Sequence, residues 1–182
     1  MLIPSEKTEV LIAQEQIQQK IKDIAEQINK DYKGQSLLVV GILKGAVLFY
    51  ADLVRQLDVD VQFDFMRISS YGNSTDSTGE IKITKDIDVS ITGKHVLIVE
   101  DIIDTGLTLD ALKRLLLTRA PASLKTCCML DKPSRRKIDI KPDYCCFEIP
   151  DQFVIGYGLD YAESGRQLKD VLYIKPEYIP TL

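Results

Sequence analysis

No stretch of this sequence approaches the ~18 to 20 continuous apolar residues needed to cross a bilayer. The N-terminal run "MLIPSEKTEVLIAQEQIQQK" turns polar too early for the apolar centre of a secretory signal. Both absences lead to the expectation of a cytoplasmic protein. A basic excess is missing as well: 23 Lys and Arg stand against 27 Asp and Glu, a net charge of −4. That balance argues against a polyanion binder, so neither nucleic acid nor a membrane is an expected partner. A small anionic ligand stays open, because it needs only a local site.

Metal-ligating spacing is also absent. The four cysteines form two adjacent pairs, Cys127-Cys128 and Cys145-Cys146, without the CxxC spacing of zinc or redox sites. They read as reduced packing residues. His95, the only histidine, begins an apolar run without a partner at motif spacing and reads as structural or surface. No repeat, low-complexity tract or linker divides the chain, so residues 1–182 are expected to form one domain.

What the sequence does hold is alternation. Ile17, Ile21, Ile24 and Ile28 recur at helical spacing, which predicts an amphipathic helix over about 8–32, ended by Lys33-Gly34. "SLLVVGIL" (36–43) is a continuous apolar run, as in a strand covered on both faces, and a helix follows in "GAVLFYADLVRQL". "DVQFDFMRIS" (60–69) reads as a strand with one polar face. "SYGNSTDSTGE" (70–80) has almost nothing to bury and reads as a mobile loop of the kind that serves as a lid. "KHVLIVED" (94–101) and "SLKTCCMLD" (123–131) are further buried strands, with a helix between them to about Arg119. Shorter strands follow at 144–149, 153–158 and 171–175.

Strand–helix alternation from Gly34 to Asp131 implies an α/β fold with a central, mainly parallel sheet flanked by helices. Ligands bind beyond the carboxyl ends of such strands. Lys44-Gly45, Glu100 to Thr108 and Asp131-Lys132 all fall there.

The segment "VLIVEDIIDTGLTLDALKRLL" (96–116) concentrates the chemistry. Backbone amides of "DTGLT" (104–108) and the hydroxyls of Thr105 and Thr108 suit an anion at a helix N-terminus, and Gly106 permits close backbone approach. The pattern is neither a Walker loop nor a GxGxxG fingerprint. Glu100 and Asp101 suit vicinal sugar hydroxyls, directly or through Mg²⁺, and Asp104 suits a proton of a reacting base. Taken alone, Asp104 fits a helix N-cap equally well. Three acids against a buried strand, with no basic partner among them, cost desolvation and repulsion that capping does not explain.

At these residues the sequence resembles the type I phosphoribosyltransferases. "LVVGILKGAVLFYADL", "DIIDTGLTL", "MLDKPSRR", "FEIPDQFVIGYGLDY" and Arg166, in that order, are similar to the bacterial hypoxanthine-guanine branch of that family, over roughly residues 8–178. The resemblance implies the type I phosphoribosyltransferase fold, with a small hood from the N- and C-terminal segments and a mobile lid loop at about 69–82. It implies purine salvage: transfer of a phosphoribosyl group from phosphoribosyl pyrophosphate to N9 of hypoxanthine or guanine, with Mg²⁺ as cofactor. A homodimer or homotetramer is implied too.

The resemblance also assigns roles. Glu100 and Asp101 would hold ribose hydroxyls and metal, with Asp160 as the further metal contact. Thr105, Gly106, Leu107 and Thr108 would line the 5′-phosphate, and Asp104 would act as general acid/base at purine N7. Lys44, Gly45 and Arg166 would meet pyrophosphate, the Lys44-Gly45 loop through a strained peptide. Lys132 would donate to the 6-oxo group, which rejects the amino group of adenine. Phe153 would stack on the purine, the backbone of Val154 would face its edge, and Ser70 and Tyr71 would begin the lid. Without the family, a solvated surface lysine is the competing reading for Lys132, and Phe153 reads as core.

Two positions depart from the family pattern. Leu107 stands where some relatives carry a basic residue, and Ser164-Gly165 precedes Arg166 where relatives carry a bulkier one, which leaves Arg166 less firmly positioned. Arg135 and Arg136 are placed at the surface or behind the site. The alternatives are a xanthine/guanine-preferring transferase and a non-catalytic nucleotide-sensing regulator. The regulator calls for an added domain or basic face that this chain lacks.

Overall fold

The computed structural model describes residues 5–70 and 81–178. Among these described residues, nine strands and three α-helices follow in chain order: β1 (Thr8–Ile12), α1 (Gln14–Asp31), β2 (Ser36–Leu43), α2 (Val47–Val54), β3 (Asp60–Ser70) and β4 (Ile81–Lys85). They continue with β5 (His95–Ile103), α3 (Leu107–Leu117), β6 (Ser123–Asp131), β7 (Tyr144–Glu148), β8 (Val154–Ile155) and β9 (Val171–Ile174).

Six strands form the main sheet in the order β4-β3-β2-β5-β6-β7, parallel throughout except for the antiparallel edge strand β4. The continuous apolar runs follow from burial on both faces. In β2, Leu37 and Val39 enter the core beneath α1 and α2, while Leu38, Val40 and Ile42 enter the opposite core with Leu112 and Leu116 of α3. The alternation repeats in β5, where Leu97 and Val99 face one core and Val96 and Ile98 the other.

A second, antiparallel sheet joins the two ends of the chain in the order β1-β9-β8. Ile12, Val154, Tyr157, Leu159 and Val171 pack into the α1/α2 core, so this hood rests on the main body near the carboxyl end of the sheet. The structure corrects the first predicted helix here: residues 8–12 form strand β1, and the helix begins at Gln14. The isoleucine stripe starts only at Ile17, and the preceding residues gain a ladder with β9 instead.

Three further differences concern element ends. Strand β4 was not visible in the sequence; it pairs with the end of β3, Ser70 opposite Ile81, so the ends of the expected 69–82 loop are ladder residues. Tyr71 and residues 72–80 lie outside the described residues. The strand expected over 153–158 is only Val154–Ile155, because Gly156, Tyr157 and Gly158 all take positive φ (92°, 47° and 99°) and turn the chain. Strand β5 runs on to Ile103, two residues past the expected end at Asp101, so Ile102 and Ile103 also belong to it.

Candidate functional site

Two adjoining cavities open where the parallel strands end. The smaller, about 270 Å³, is lined by Ile42 to Gly45 at the end of β2 and, from the last residues of β5 into α3, by Glu100 to Gly106 and Thr108. The larger, about 600 Å³, lies among Lys132, Arg135, Asp151, Phe153, Val154 and Asp160. Asp101, Ile102 and Asp104 line both and form the partition between them.

The floor of the small chamber is the turn into α3. Gly106 has φ +83° and is the N-cap of that helix, so the cap is Gly106, and Asp104 stands free of that role. Thr105, Gly106 and Leu107 bring their backbone to the positive end of α3, where an anion is favoured. Leu107 is the first helical residue and its amide reaches the Thr105 hydroxyl at 3.4 Å, so its backbone belongs to the cradle whatever its side chain. Gly106 is required by the protein itself: a Cβ there would stand 2.6 Å from Ile140 and 2.9 Å from Arg136.

The opposite wall is the loop after β2. A Cβ on Gly45 would fall 1.5 Å from an Asp101 oxygen, so only glycine lets Lys44-Gly45 close against the acids. The cis peptide of this loop is Leu43-Lys44, one residue ahead of the Lys44-Gly45 bond. Lys44 Nζ pairs with Glu163 at 2.9 Å.

Glu100 is 7% exposed, and its carboxyl is pushed well above the ordinary range by burial and then by the neighbouring Asp101 charge. Burial likewise raises Asp101 to about 6, against the Ile102 amide and the Arg166 charge, which pull it down. Two carboxyl groups held this way form a site short of positive charge. Asp160 is already engaged: one oxygen accepts from the Glu163 amide at 2.8 Å and the other pairs with Arg166 at 2.8 Å. Among the described residues no three acidic, histidine or cysteine side chains converge tightly enough to hold a metal alone.

Arg166 is firmly positioned, contrary to the expectation drawn from Ser164-Gly165. Its Nη1 donates to the Gly158 carbonyl at 2.8 Å, and its Nη2 holds Asp160. Gly158 in turn presses on the Gly45 carbonyl, which ties the hood to the Lys44-Gly45 loop.

In the large chamber Lys132 is 6% exposed, which rules out a surface lysine, and Phe153 is 40% exposed, which rules out core packing. The Phe153 carbonyl accepts from Ile174 at 2.9 Å and its ring meets Tyr161 edge-on, while Val154 is buried in β8. Lys132 is brought to Asp104 by stitching between two loops. The Lys132 amide donates to Ile103, the Lys137 amide donates to Thr105, and Arg136 bridges the Asp131 carboxylate and the Asp104 carbonyl. Arg136 is therefore a brace behind the site.

Arg135 is where the sequence reading needs correction. It lines the large chamber, with Nε 2.7 Å from Asp104 Oδ1, an ion pair that is not aligned as a hydrogen bond. Asp104 thus does have basic partners, Lys132 and Arg135, supplied from the β6–β7 connection, while Glu100 and Asp101 gain none from it. Asp151 is a further chamber residue that sequence reasoning missed. Ser70 ends β3 beside the small chamber's strands, and Tyr71 lies outside the described residues. His95 bonds Ser123 at 2.8 Å at the other end of the sheet, a structural role as read, and the four cysteines are free.

The phosphoribosyl transferase domain family matches residues 8–162. The chain is 51% identical to the hypoxanthine-guanine phosphoribosyltransferase of Bacillus subtilis over 167 residues, 92% of this chain and 93% of that protein. It is 47% identical to the enzyme of the same name from Aquifex aeolicus, across 95% of this chain and 98% of the relative. The crystal structure of a hypoxanthine phosphoribosyltransferase from Staphylococcus aureus superposes with a TM-score of 0.92 at 47% identity, covering 95% of this chain and 94% of that one.

Proposed function

The chain belongs to the phosphoribosyl transferase family, and from that premise we propose that it is a purine-salvage enzyme, moving a 5-phosphoribosyl group from phosphoribosyl pyrophosphate to N9 of hypoxanthine or guanine. The observation that carries this reading is the pair of chambers sharing Asp101, Ile102 and Asp104 as a partition. The reaction joins a sugar phosphate to a base, and the partition stands where that bond forms.

In this reading the small chamber takes the ribose phosphate. The 5′-phosphate lies against the amides and hydroxyls of Thr105 to Thr108, and the ribose hydroxyls meet Glu100 and Asp101. Pyrophosphate lies between the Lys44-Gly45 amides and Arg166, whose planar fork suits bidentate phosphate contact. The buried Glu100 and partly buried Asp101, carboxyls short of nearby positive charge, fit a divalent cation that takes its remaining ligands from substrate and water, as Mg²⁺ does with one or two carboxylates. Asp160, held by Arg166, would meet it on the pyrophosphate side. When bound, Mg²⁺ supplies charge neutralisation of the leaving pyrophosphate.

The base enters the large chamber against Phe153, its 6-oxo group toward Lys132 and its edge along the backbone of Val154. Lys132 has three donors and no acceptor, so it favours an oxo group over an amino group. Bond breaking at ribose C1 leads bond making. The carboxylates beneath the sugar offer negative charge where positive charge develops. Asp104 takes the proton from N7 as N9 captures C1. Ser70, the last residue of β3, and Tyr71 are proposed to begin a lid that covers the reaction.

One catalytic unit spanning the chain and assembly as a homodimer or homotetramer complete the proposal. Val47 and Leu48 on α2 and Phe63 on β3 stay exposed, apolar surface that a second copy would cover. A cytoplasmic location is part of the proposal; no helix among the described residues is long and apolar enough to cross a membrane.

The test is an assay of purified protein with phosphoribosyl pyrophosphate, Mg²⁺ and, in turn, hypoxanthine, guanine, xanthine and adenine. Nucleotide formation from hypoxanthine or guanine is expected. Turnover of xanthine ahead of both would turn the assignment to the xanthine-preferring alternative. Turnover of adenine alone, or of none, would overturn it.

A further inference from the structure

Four charged side chains close a ring in the wall of the base chamber. Lys132 Nζ lies 3.8 Å from Asp104 and 3.9 Å from Asp151, while Arg135 reaches the same two carboxylates through Nε at 2.7 Å and Nη1 at 3.2 Å. Two cations and two anions balance. The functional reading above gives tasks to Lys132 and Asp104 and none to the other two.

The ring is built by local sequence. Pro133–Arg135 is a single 3₁₀ turn with Lys132 as its N-cap, and the Arg135 amide donates to the Lys132 carbonyl at 3.1 Å. Residues three apart eclipse in such a turn, so Lys132 and Arg135 project to the same side. Asp151 reaches them from the segment that carries Phe153.

We infer that Arg135 and Asp151 are a counter-charge pair that positions Lys132 and Asp104 in the free enzyme and releases both to the purine without leaving an unpaired charge. This inference rests on the functional reading. Docking of a 6-oxopurine draws Lys132 to O6 and Asp104 to N7. The two contacts of Lys132 are the long ones, so the buried ammonium is weakly held and its release costs little. What remains is Arg135 on Asp151, already 3.2 Å apart and half exposed, a pair that needs no third partner. Charge balance thus holds before and after docking. Without Arg135, two carboxylates would compete for Lys132 alone and hold it back from the base. Without Asp151, both cations would fall on Asp104.

The experiment compares wild type, Arg135→Met, Asp151→Asn and the double variant with hypoxanthine, phosphoribosyl pyrophosphate and Mg²⁺. Arg135→Met is expected to raise KM for hypoxanthine about fivefold, the size a partly exposed charge pair supports. Its KM for phosphoribosyl pyrophosphate and its circular dichroism should stay at wild-type values, which excludes misfolding. Asp151→Asn should lower kcat more than it raises KM. The double variant restores charge balance around Lys132 and Asp104, so its KM for hypoxanthine should return toward wild type. A merely structural role predicts no such rescue. With an active wild type, a double variant no better than Arg135→Met, or an unchanged KM in Arg135→Met, overturns this inference alone. An inactive wild type overturns the functional reading and the inference with it.

Discussion

Asp101 and Glu100 are kept in the fold at a cost that only a ligand recovers. The ordinary value for Asp101 is 3.8 and burial moves it to about 6, so the folded chain holds a proton that the unfolded chain has lost. Stability is therefore unpenalised below pH ~4 and falls as pH climbs through about 6, by on the order of 2 to 3 kcal/mol for a gap of this size. Asp101→Asn should accordingly raise the melting temperature of the ligand-free protein at pH 7.5 by several degrees and leave it little changed at pH 4. It should also weaken Mg²⁺-dependent binding of phosphoribosyl pyrophosphate. Equal melting temperatures at both pH values would remove the burial argument. Asp104→Asn is a different case: it should fold normally and lose kcat by about a hundredfold, with KM for phosphoribosyl pyrophosphate nearly unchanged, as expected of a lost proton acceptor. An unchanged kcat would take Asp104 out of the chemistry. Glu100, Asp101 and Asp104 were legible because three acids at a strand end violate a local rule. Arg135 and Asp151 were not, because each is an ordinary surface charge until the 3₁₀ turn and the hood bring them to Asp104. The spacing of Lys132 and Arg135 around Pro133 was the one available signal.

The elements that the sequence made legible are those with a long period or a fully apolar run. The stripe in α1 and the runs in β2, β5 and β6 each commit many residues to one pattern. Strands β1 and β4 have five residues each and lie at sheet edges or in the hood, where half-exposed side chains give little pattern and distant pairing decides. The turn after β8 was misread as strand because its glycines look like breaks within an apolar run. Their function is contact: Gly158 has φ +99°, and a Cβ there would stand 2.0 Å from the Gly45 carbonyl. Gly158→Ala should therefore cost about 2 to 4 kcal/mol by combined strain and clash, read as a lower urea midpoint. It should also raise KM for phosphoribosyl pyrophosphate, because the Lys44-Gly45 loop and the Arg166 anchor both lean on this residue. A stable variant with wild-type kinetics would show that the hood and the loop move independently.

At the scale of the whole molecule, strand–helix alternation led to the parallel sheet, and the parallel sheet led to the site at its carboxyl end. The hood was legible only through family resemblance, since β1 and β9 pair across almost the full length of the chain. Its packing into the α1/α2 core is what completes the large chamber, bringing Phe153 and Asp160 to face Lys132 and Asp104. Light scattering of the purified protein should report a dimer or tetramer, and a monomer at assay concentration would contradict the proposed use of the exposed apolar residues on α2 and β3. The central claim is that one partition divides the sugar phosphate from the base. A crystal structure with bound purine nucleoside monophosphate and Mg²⁺ tests it most directly. The account predicts the 5′-phosphate against the Thr105 to Thr108 amides and the purine against Phe153, with its 6-oxo group on Lys132. A base seated in the small chamber, or a phosphate seated in the large one, would contradict it.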